Sequence, residues 1–125
     1  MELREYLRED FGDLNEWRWN RGMDIVTEEE IPRLGFTVID GPMKIAIGFL
    51  RDAEGIGIID SVVTNPTIEG WIRHVALDRL FARLLEVAKS KNMFQVIGFS
   101  VDDHTLDRAM KHGFKKSNHT LMVRG

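Results

Sequence analysis

The chain has 125 residues, of which 43% are hydrophobic and 30% are charged, and its formal net charge is −3. This length and composition are typical of one globular domain with its own core, so we predict a single domain over residues 1–125. The acidic balance argues against a partner held through nucleic-acid phosphates. The sequence has no cysteine, which excludes disulfides, thiolate metal sites and a cysteine nucleophile.

The first residues, the lack of a long apolar run and the spacing of the histidines exclude further classes of protein. The first five residues are mostly charged, unlike a signal peptide, and no apolar run approaches the roughly 20 residues that span a bilayer. We therefore predict a cytoplasmic protein with no membrane partner. The four histidines do not have the spacing of metal ligands, so we predict no metal site. The sequence leaves a homodimer open.

The N-terminal third predicts a helix over residues 10–21. Asp10 is a candidate N-cap and Gly22 a candidate end of this helix. Apolar residues spaced by three place one side of the helix against the core, and these are Phe11, Leu14 and Trp17.

The middle of the chain predicts three consecutive strands. They cover residues 34–39, 43–50 and 56–64, and short turns rich in Asp and Gly separate them. Strands joined by such short turns pair antiparallel, so we expect a meander.

The C-terminal half predicts a long amphipathic helix over residues 69–91, followed by a buried strand over 94–99. A short helix over 104–112 follows, with Asp102 and Asp103 as its cap and Gly113 after its end. Residues 121–123 form a predicted last strand. The long helix would join two parallel strands by a right-handed crossover, which predicts a mixed sheet with helices on its faces.

This order of elements resembles that of the GNAT superfamily of N-acetyltransferases. The similar stretches are residues 58–66, 84–92 and 108–114, and the resemblance covers about three quarters of the chain, from Gly35 onward. The segments 63–66 (Val-Thr-Asn-Pro) and 111–114 (Lys-His-Gly-Phe) further resemble small GNAT-like proteins of bacteriophages. The resemblance implies an α/β fold with a mixed, mainly antiparallel central sheet, helices on both faces and one parallel strand pair linked by the long helix.

The resemblance also implies acetyl-CoA as co-substrate. In the family, two parallel strands separate, and the free backbone groups of one strand hold the pantetheine arm. Here that strand segment would be Val62, Val63 and Thr64.

The pyrophosphate of the co-substrate is held at the N-terminus of the long helix in this family, where N–H groups and the helix dipole meet an anion. The candidates in this chain are Gly70, Arg73 and His74. The two glycines of the family's loop fall on Val75 and Leu77, so the motif departs from the family pattern at both positions.

Three residues are candidates for proton transfer. Asp60 lies on the strand that would face the acetyl group, and it could take the proton of the amine as a general base. Its alternative role is a strand aspartate held by a backbone or arginine partner. Ala109 stands where many family members have a tyrosine general acid, which leaves Ser100 and His112 as candidates to protonate the leaving thiolate.

These observations support two functions. The first is an N-acyltransferase that moves an acetyl group from acetyl-CoA to an amine, of a small molecule or a protein, that the sequence does not identify. The alternative is an inactive GNAT-fold protein, encoded by a phage, that binds a phage or host protein as a structural module. Nucleic-acid binding through Arg108, Lys111, Lys115 and Lys116 is a weaker third interpretation, because the chain as a whole is acidic.

Overall fold

The computed structural model describes residues 1–100 and 103–125, and the predicted helix cap at Asp102 and Asp103 lies outside the described side chains. None of the described helices is both long and apolar enough to cross a membrane. In chain order, the elements are β1 (Glu2–Glu5), α1 (Phe11–Asn20), β2 (Leu34–Asp40), β3 (Met43–Ala53), β4 (Ile56–Thr64), α2 (Gly70–Ser90), β5 (Gln95–Ile97) and α3 (Asp103–Lys111). Short 3-10 turns at Arg8–Asp10 and Glu28–Glu30 flank α1.

The strands form one sheet in the spatial order β1-β2-β3-β4-β5. The first four strands pair antiparallel, whereas β4 and β5 pair in parallel. The predicted meander and the predicted parallel pair joined by α2 are both confirmed. Strands β2, β3 and β4 and helix α2 lie within a few residues of their predicted bounds, because each has a clear hydrophobic period.

Helices cover both faces of the sheet. Because side chains alternate along a strand, Ile47 and Phe49 lie on the face that α1 covers, where they pack with Leu14, Trp17 and Val63. The opposite face of β3 packs against α2 through a second cluster, which includes Ala46, Leu50, Ala76, Leu80 and Leu84. The predicted core position of Trp17 is confirmed.

A β-bulge bends β4 in its second half. Ile47 pairs with Val63 and Phe49 pairs with Asp60, so Gly48 alone lies opposite two residues of β4. The first of these two, Ser61, has a φ of 51°. A Cβ on Gly48 would lie 2.8 Å from a Leu80 methyl and 3.0 Å from a Val62 methyl, so a larger residue opposite the bulge would force these side chains to shift. Bulges of this kind increase the local twist and redirect the strand.

Asp10 ties the first strands together. Its buried carboxylate accepts hydrogen bonds from Arg4 at 2.7 and 2.8 Å, from Thr37 Oγ1 at 2.9 Å and from the Leu7 N–H at 3.0 Å. Lys44 Nζ lies 2.9 Å from Asp10 Oδ1. Asp10 occupies the predicted N-cap position of α1, but its side chain makes no capping bond to that helix. Both of its carboxylate oxygens are engaged by the four partners named above.

The protonation of Asp10 follows from these contacts. Burial by itself would raise the pKa of the Asp10 carboxyl, but the hydrogen bonds from Arg4, Leu7, Lys44 and Thr37 outweigh burial and hold its pKa well below its usual value. The hydrogen bonds to Asp13 and Asp10 raise the pKa of Lys44, and the one to Asp13 has the larger effect.

Helix α3 is attached to α2 by a polar contact. The Arg108 side chain is only 8% exposed, and its Nε donates to Asp78 Oδ1 at 3.2 Å while its Nη2 contacts His74 Nδ1. His112 places Nε2 3.4 Å from the same Asp78 oxygen and packs edge-on against Phe81. Arg108 is therefore not available for the predicted nucleic-acid cluster.

Of the two strand predictions near the C-terminal end, the one over residues 94–99 is partly wrong and the one over 121–123 is entirely wrong. The run 94–99 is not a buried strand, since only Gln95–Ile97 pair and Phe94 and Phe99 are 74% and 60% exposed. Residues 121–123 form no strand, and Met122 is 90% exposed. In the described part of the chain no strand lies beyond β5, so nothing covers these apolar side chains. Gly113, at φ 89°, ends α3 as predicted.

We expect Asp10→Asn to destabilise the fold by about 2–3 kcal/mol, because it leaves Arg4 and Lys44 facing a neutral group in a partly buried position. Urea unfolding at pH 7 measures this. Asp24→Asn, at an exposed carboxylate, is the control and should change little.

The same aspartate predicts a pH dependence. A carboxyl whose folded-state pKa is depressed stabilises the fold above its unfolded-state pKa and loses that contribution as pH falls toward the folded-state value. Wild-type stability should therefore decline below about pH 4, and more steeply than that of Asp10→Asn. Parallel curves for the two proteins between pH 5 and pH 2 would contradict the assignment.

For the contact between α2 and α3, we expect Asp78→Asn to loosen α3, because the buried Arg108 guanidinium loses its anionic partner. Amide hydrogen exchange in α3 should speed up by an amount corresponding to about 1–3 kcal/mol, while exchange in β3 stays unchanged. Asp107→Asn, on the exposed side of α3, is the matched control. Equal exchange in the two variants would show that α3 is held by other contacts.

Candidate functional site

The parallel strands β4 and β5 separate soon after they meet. Their pairing consists of Ile56 with Gln95, Gly57 with Val96 and Ile58 with Ile97. Strand β4 continues to Thr64, and over residues 59–64 no described strand pairs with the edge that faces β5. We refer to this edge of β4, whose backbone groups lack a described strand partner, as the opening.

The predicted pantetheine segment lies along this opening. Val63 is buried on the α1 face, while Val62 packs toward α2, so both side chains point away from the strand edge. Thr64 ends the strand, and its hydroxyl and carbonyl oxygens accept hydrogen bonds from Arg21 at 2.7 and 3.4 Å. The structure therefore presents the edge of β4 at the position where the sequence analysis expected it.

Two arginines, Arg21 and Arg73, lie together at the N-terminal end of α2, and we refer to them as the arginine pair. Burial lowers the pKa of Arg21, and repulsion from the charge of Arg73 lowers it further. The Nε of Arg73 is buried and has no hydrogen-bond partner. Among the described residues, no carboxylate lies within ion-pair distance of either guanidinium.

The helix N-terminus adds to this positive potential. The first N–H groups of a helix lack intrahelical acceptors, and the helix dipole favours an anion there. Gly70 is the first residue of α2 and is exposed. Together with the unpartnered Arg73 Nε, this arrangement fits a bound phosphate group. The Glu69 carboxylate, which accepts from Trp71 Nε1 at 2.7 Å, opposes it.

The remaining residues near the start of α2 are arranged differently from the family pattern. The His74 ring contacts Arg108 and Asp78, so it faces α3. Val75 is 38% exposed, and Leu77 packs against the core cluster on the α2 face. Guanidinium groups, rather than the glycines of the family's loop, thus provide the donors at this end of α2.

Asp60 lies beside the opening on the α1 face of the sheet, since it pairs with Phe49. Its Oδ2 accepts hydrogen bonds from Arg51 at 3.0 and 3.3 Å, and its Oδ1 accepts one from Ser61 Oγ at 3.0 Å. The side chain is nevertheless 33% exposed. Asp60 therefore has an arginine partner and remains accessible.

Asp60 also lines a cleft in the described part of the chain. The cleft has a volume of about 480 Å³ and is lined by Arg18, Val26, Glu30, Arg51, Asp60 and Ser61. Asp60 and Ser61 follow Ile59, just after β4 leaves β5. The cleft and the opening thus share a border at the bulge.

The two candidates for the general acid lie on different elements from Asp60. His112 is held by Asp78 and Phe81 between α2 and α3. Ser100 lies after β5 and is exposed. His112 has no described contact with Asp60.

Three arginines border the candidate site although no sequence pattern predicted them there: Arg18, Arg21 and Arg51. Arg21 and Thr64 are 43 residues apart, and Arg51 and Asp60 belong to different strands. The one sequence signal that could have indicated the contact between Arg51 and Asp60 was the strand register. In a hairpin with a turn at residues 54–55, Arg51 lies close to the residues of β4 that precede the bulge.

Solved structures resemble the whole chain. A candidate acetyltransferase of Agrobacterium tumefaciens matches with a TM-score of 0.77 and 17% identity, covering 100% of both chains. The Rv2747 protein of Mycobacterium tuberculosis, solved in complex with CoA, matches with a TM-score of 0.79 and 17% identity, over 98% of this chain and 76% of that one. A candidate acetyltransferase of Clostridium acetobutylicum, solved with acetyl-CoA, matches with a TM-score of 0.71 and 15% identity, over 98% and 95%.

No protein-family model and no curated protein matches the sequence. The structural matches have identities below one fifth, so what they establish is the fold. The chain has the fold of the GNAT acetyltransferases.

Proposed function

We propose that the protein is an N-acyltransferase that transfers an acetyl group from acetyl-CoA to an amine. The observation that carries this proposal is the separation of β4 from β5 directly beside the arginine pair. An extended ligand with a phosphate-rich end needs this combination of a free strand edge and uncompensated positive charge. Structural neighbours solved with CoA and with acetyl-CoA support the proposal.

The chain's own residues can be assigned to the parts of the co-substrate. Arg21, Arg73 and the N-terminus of α2 at Gly70 would hold the pyrophosphate, because guanidinium forks and free N–H groups both bind phosphate oxygens. The backbone of Val62, Val63 and Thr64 would hold the pantetheine amides. His74 would border the same end of α2. Acetyl-CoA supplies the activated acetyl thioester when bound.

Asp60 is the proposed general base. Its carboxylate borders both the cleft and the opening, and Ser61 and Arg51 fix its orientation. A carboxylate held in this way can accept a proton from an amine directly or through one water. We assign the protonation of the leaving thiolate to Ser100 or His112. Because acetyl-CoA is made and used inside cells, this activity would belong to the cytoplasm.

A second candidate function is an inactive binding module with the same fold. The ion pair between Asp60 and Arg51 favours it, because that arginine stabilises the carboxylate as a structural anion. The Glu69 carboxylate at the start of α2 also favours it, since it opposes a phosphate there. This alternative predicts that the wild-type protein releases no thiol from acetyl-CoA with any amine.

Measuring the binding of acetyl-CoA tests whether the arginine pair holds the pyrophosphate. We expect Arg21→Gln and Arg73→Gln each to weaken acetyl-CoA binding about 10-fold or more, because each removes a charge-assisted contact to phosphate. Isothermal titration measures this, and Lys116→Gln on the exposed C-terminal segment is the control for the charge change.

A truncated ligand sharpens the same test. Acetyl-pantetheine lacks the pyrophosphate and the nucleotide, so the two arginine variants should bind it as the wild type does. If the variants lose acetyl-pantetheine as well, the arginines support the fold rather than the phosphate. If wild-type protein shows no heat with acetyl-CoA at high micromolar concentration, the acyltransferase proposal is wrong.

Kinetic measurements test whether Asp60 is the general base. We expect Asp60→Asn to lower kcat for amine acetylation by about 100-fold or more while acetyl-CoA affinity stays the same, since Asp60 lies on the cleft side of the opening. Thiol release with a panel of amines measures kcat, and Asp40→Asn, at an exposed carboxylate, is the control. An unchanged kcat in Asp60→Asn would remove Asp60 from the mechanism.

A further inference from the structure

We infer that the amine acceptor carries a carboxylate next to its amine, as a free α-amino acid does, and binds in the cleft beside Asp60. This inference rests on the proposed function, because it names the second substrate of the same reaction. It is carried by the charge, the size and the fixed side chains of the cleft.

The cleft has balanced charge. Two guanidinium groups, from Arg18 and Arg51, and two carboxylates, from Glu30 and Asp60, line it. Balanced, opposite charges attract a ligand that carries both signs, and they give little net attraction to an ion of one sign. A polyamine would place its second ammonium group near an arginine, where like charges repel.

The size and the lining of the cleft restrict the ligand further. A volume of about 480 Å³ lies within the usual range for small-molecule sites. Val26 is the one apolar side chain among the lining residues, so an amine with a large apolar group would find little apolar surface to contact. A small polar amine fits the cleft better.

Arg18 provides a carboxylate site. Its Nε donates to the carbonyl oxygen of Asp24 at 2.7 Å, which holds the guanidinium in place at the end of α1. No described residue accepts a hydrogen bond from its two terminal nitrogens. A guanidinium with two free nitrogens on one side binds a carboxylate through two parallel hydrogen bonds.

Asp60 provides the site for the amine. Its position next to the separation of β4 and β5 places it closer to the opening than any other carboxylate of the cleft, since Glu30 belongs to the 3-10 turn before β2. Glu30 is also engaged, because its Oε1 accepts from the Thr27 N–H and hydroxyl at 3.3 and 3.1 Å. The amine therefore binds toward the opening and the carboxylate toward Arg18.

The chemistry balances with these two substrates alone. A carbon–nitrogen bond forms between the acetyl carbon and the amine while the carbon–sulfur bond of the thioester breaks. The sulfur keeps the electron pair of that bond, and the proton that the amine gives up ends on the thiol or in water. Nothing is oxidised or reduced.

The test is a binding experiment without acetyl-CoA, followed by NMR of the ¹⁵N-labelled protein. Each of the twenty L-amino acids is added at millimolar concentration, and the tightest ligand is then compared with its α-carboxamide and with the amine that lacks the carboxylate. We expect the amino acid to shift the amide signals of Ser61 and Val26. We expect both analogues to bind about 10-fold more weakly or worse, because they lose the Arg18 contact.

Two variants complete the test. Arg18→Gln should bind the amino acid and its carboxamide equally, whereas Arg124→Gln, near the C-terminus, should keep the wild-type preference. The comparison of ligands on wild-type protein remains valid if Arg18→Gln does not fold. Equal binding of the acid and its carboxamide, or no shift at the cleft with any amino acid, overturns the inference.

The outcomes also separate this inference from the proposed function. If amino acids bind in the cleft but acetyl-CoA does not bind at all, the acyltransferase proposal fails and the cleft assignment stands. If acetyl-CoA binds and amines without a carboxylate are acetylated as fast as amino acids, the acyltransferase proposal stands and the acceptor assignment fails.

Discussion

The bulge at Ser61 is the constraint on which both candidate sites depend. Strand β4 stays paired with β3 along its length, because Gly48 makes room for the extra residue opposite it. Past Ile58 the same strand leaves β5. Asp60, directly before the bulge, lies on the α1 face with Phe49, while the edge of β4 beyond Ile58 has no described strand partner. Ser61 thus borders both the unpaired edge of β4 and the cleft.

Charged side chains differ in how many hydrogen-bond and ion-pair partners they have, and this difference separates structural positions from candidate functional ones. Asp10 is fully buried and has four partners, so its role is to hold β1, β2 and β3 together. Asp60 has partners but stays one third exposed beside a cleft. Arg21 is exposed, Arg73 is partly buried, and neither has an anionic partner among the described residues. A phosphate group of the proposed co-substrate would supply the missing negative charge.

The departure from the family's glycine-rich loop has a physical counterpart in this structure. Where glycines would let backbone N–H groups approach a phosphate, Val75 and Leu77 present side chains. Arg73 and Arg21 bring guanidinium donors to the same end of α2 from two different elements. Guanidinium donors bind phosphate oxygens, so the proposed phosphate site depends on these two side chains rather than on glycines.

Local periodicity by itself determined the architecture. The apolar spacing near four along residues 69–91 defined α2, and the alternation and turns over residues 34–64 defined the meander, since these signals need no distant partner. Burial at the edge of the sheet was decided only by tertiary structure, because an apolar run such as 94–99 is covered only if another element lies against it. The same holds for the pairing of Arg21 with Thr64, of Arg51 with Asp60 and of Arg4 with Asp10. A charged side chain can reach many partners in sequence, and the folded backbone selects which of them lies within hydrogen-bond distance.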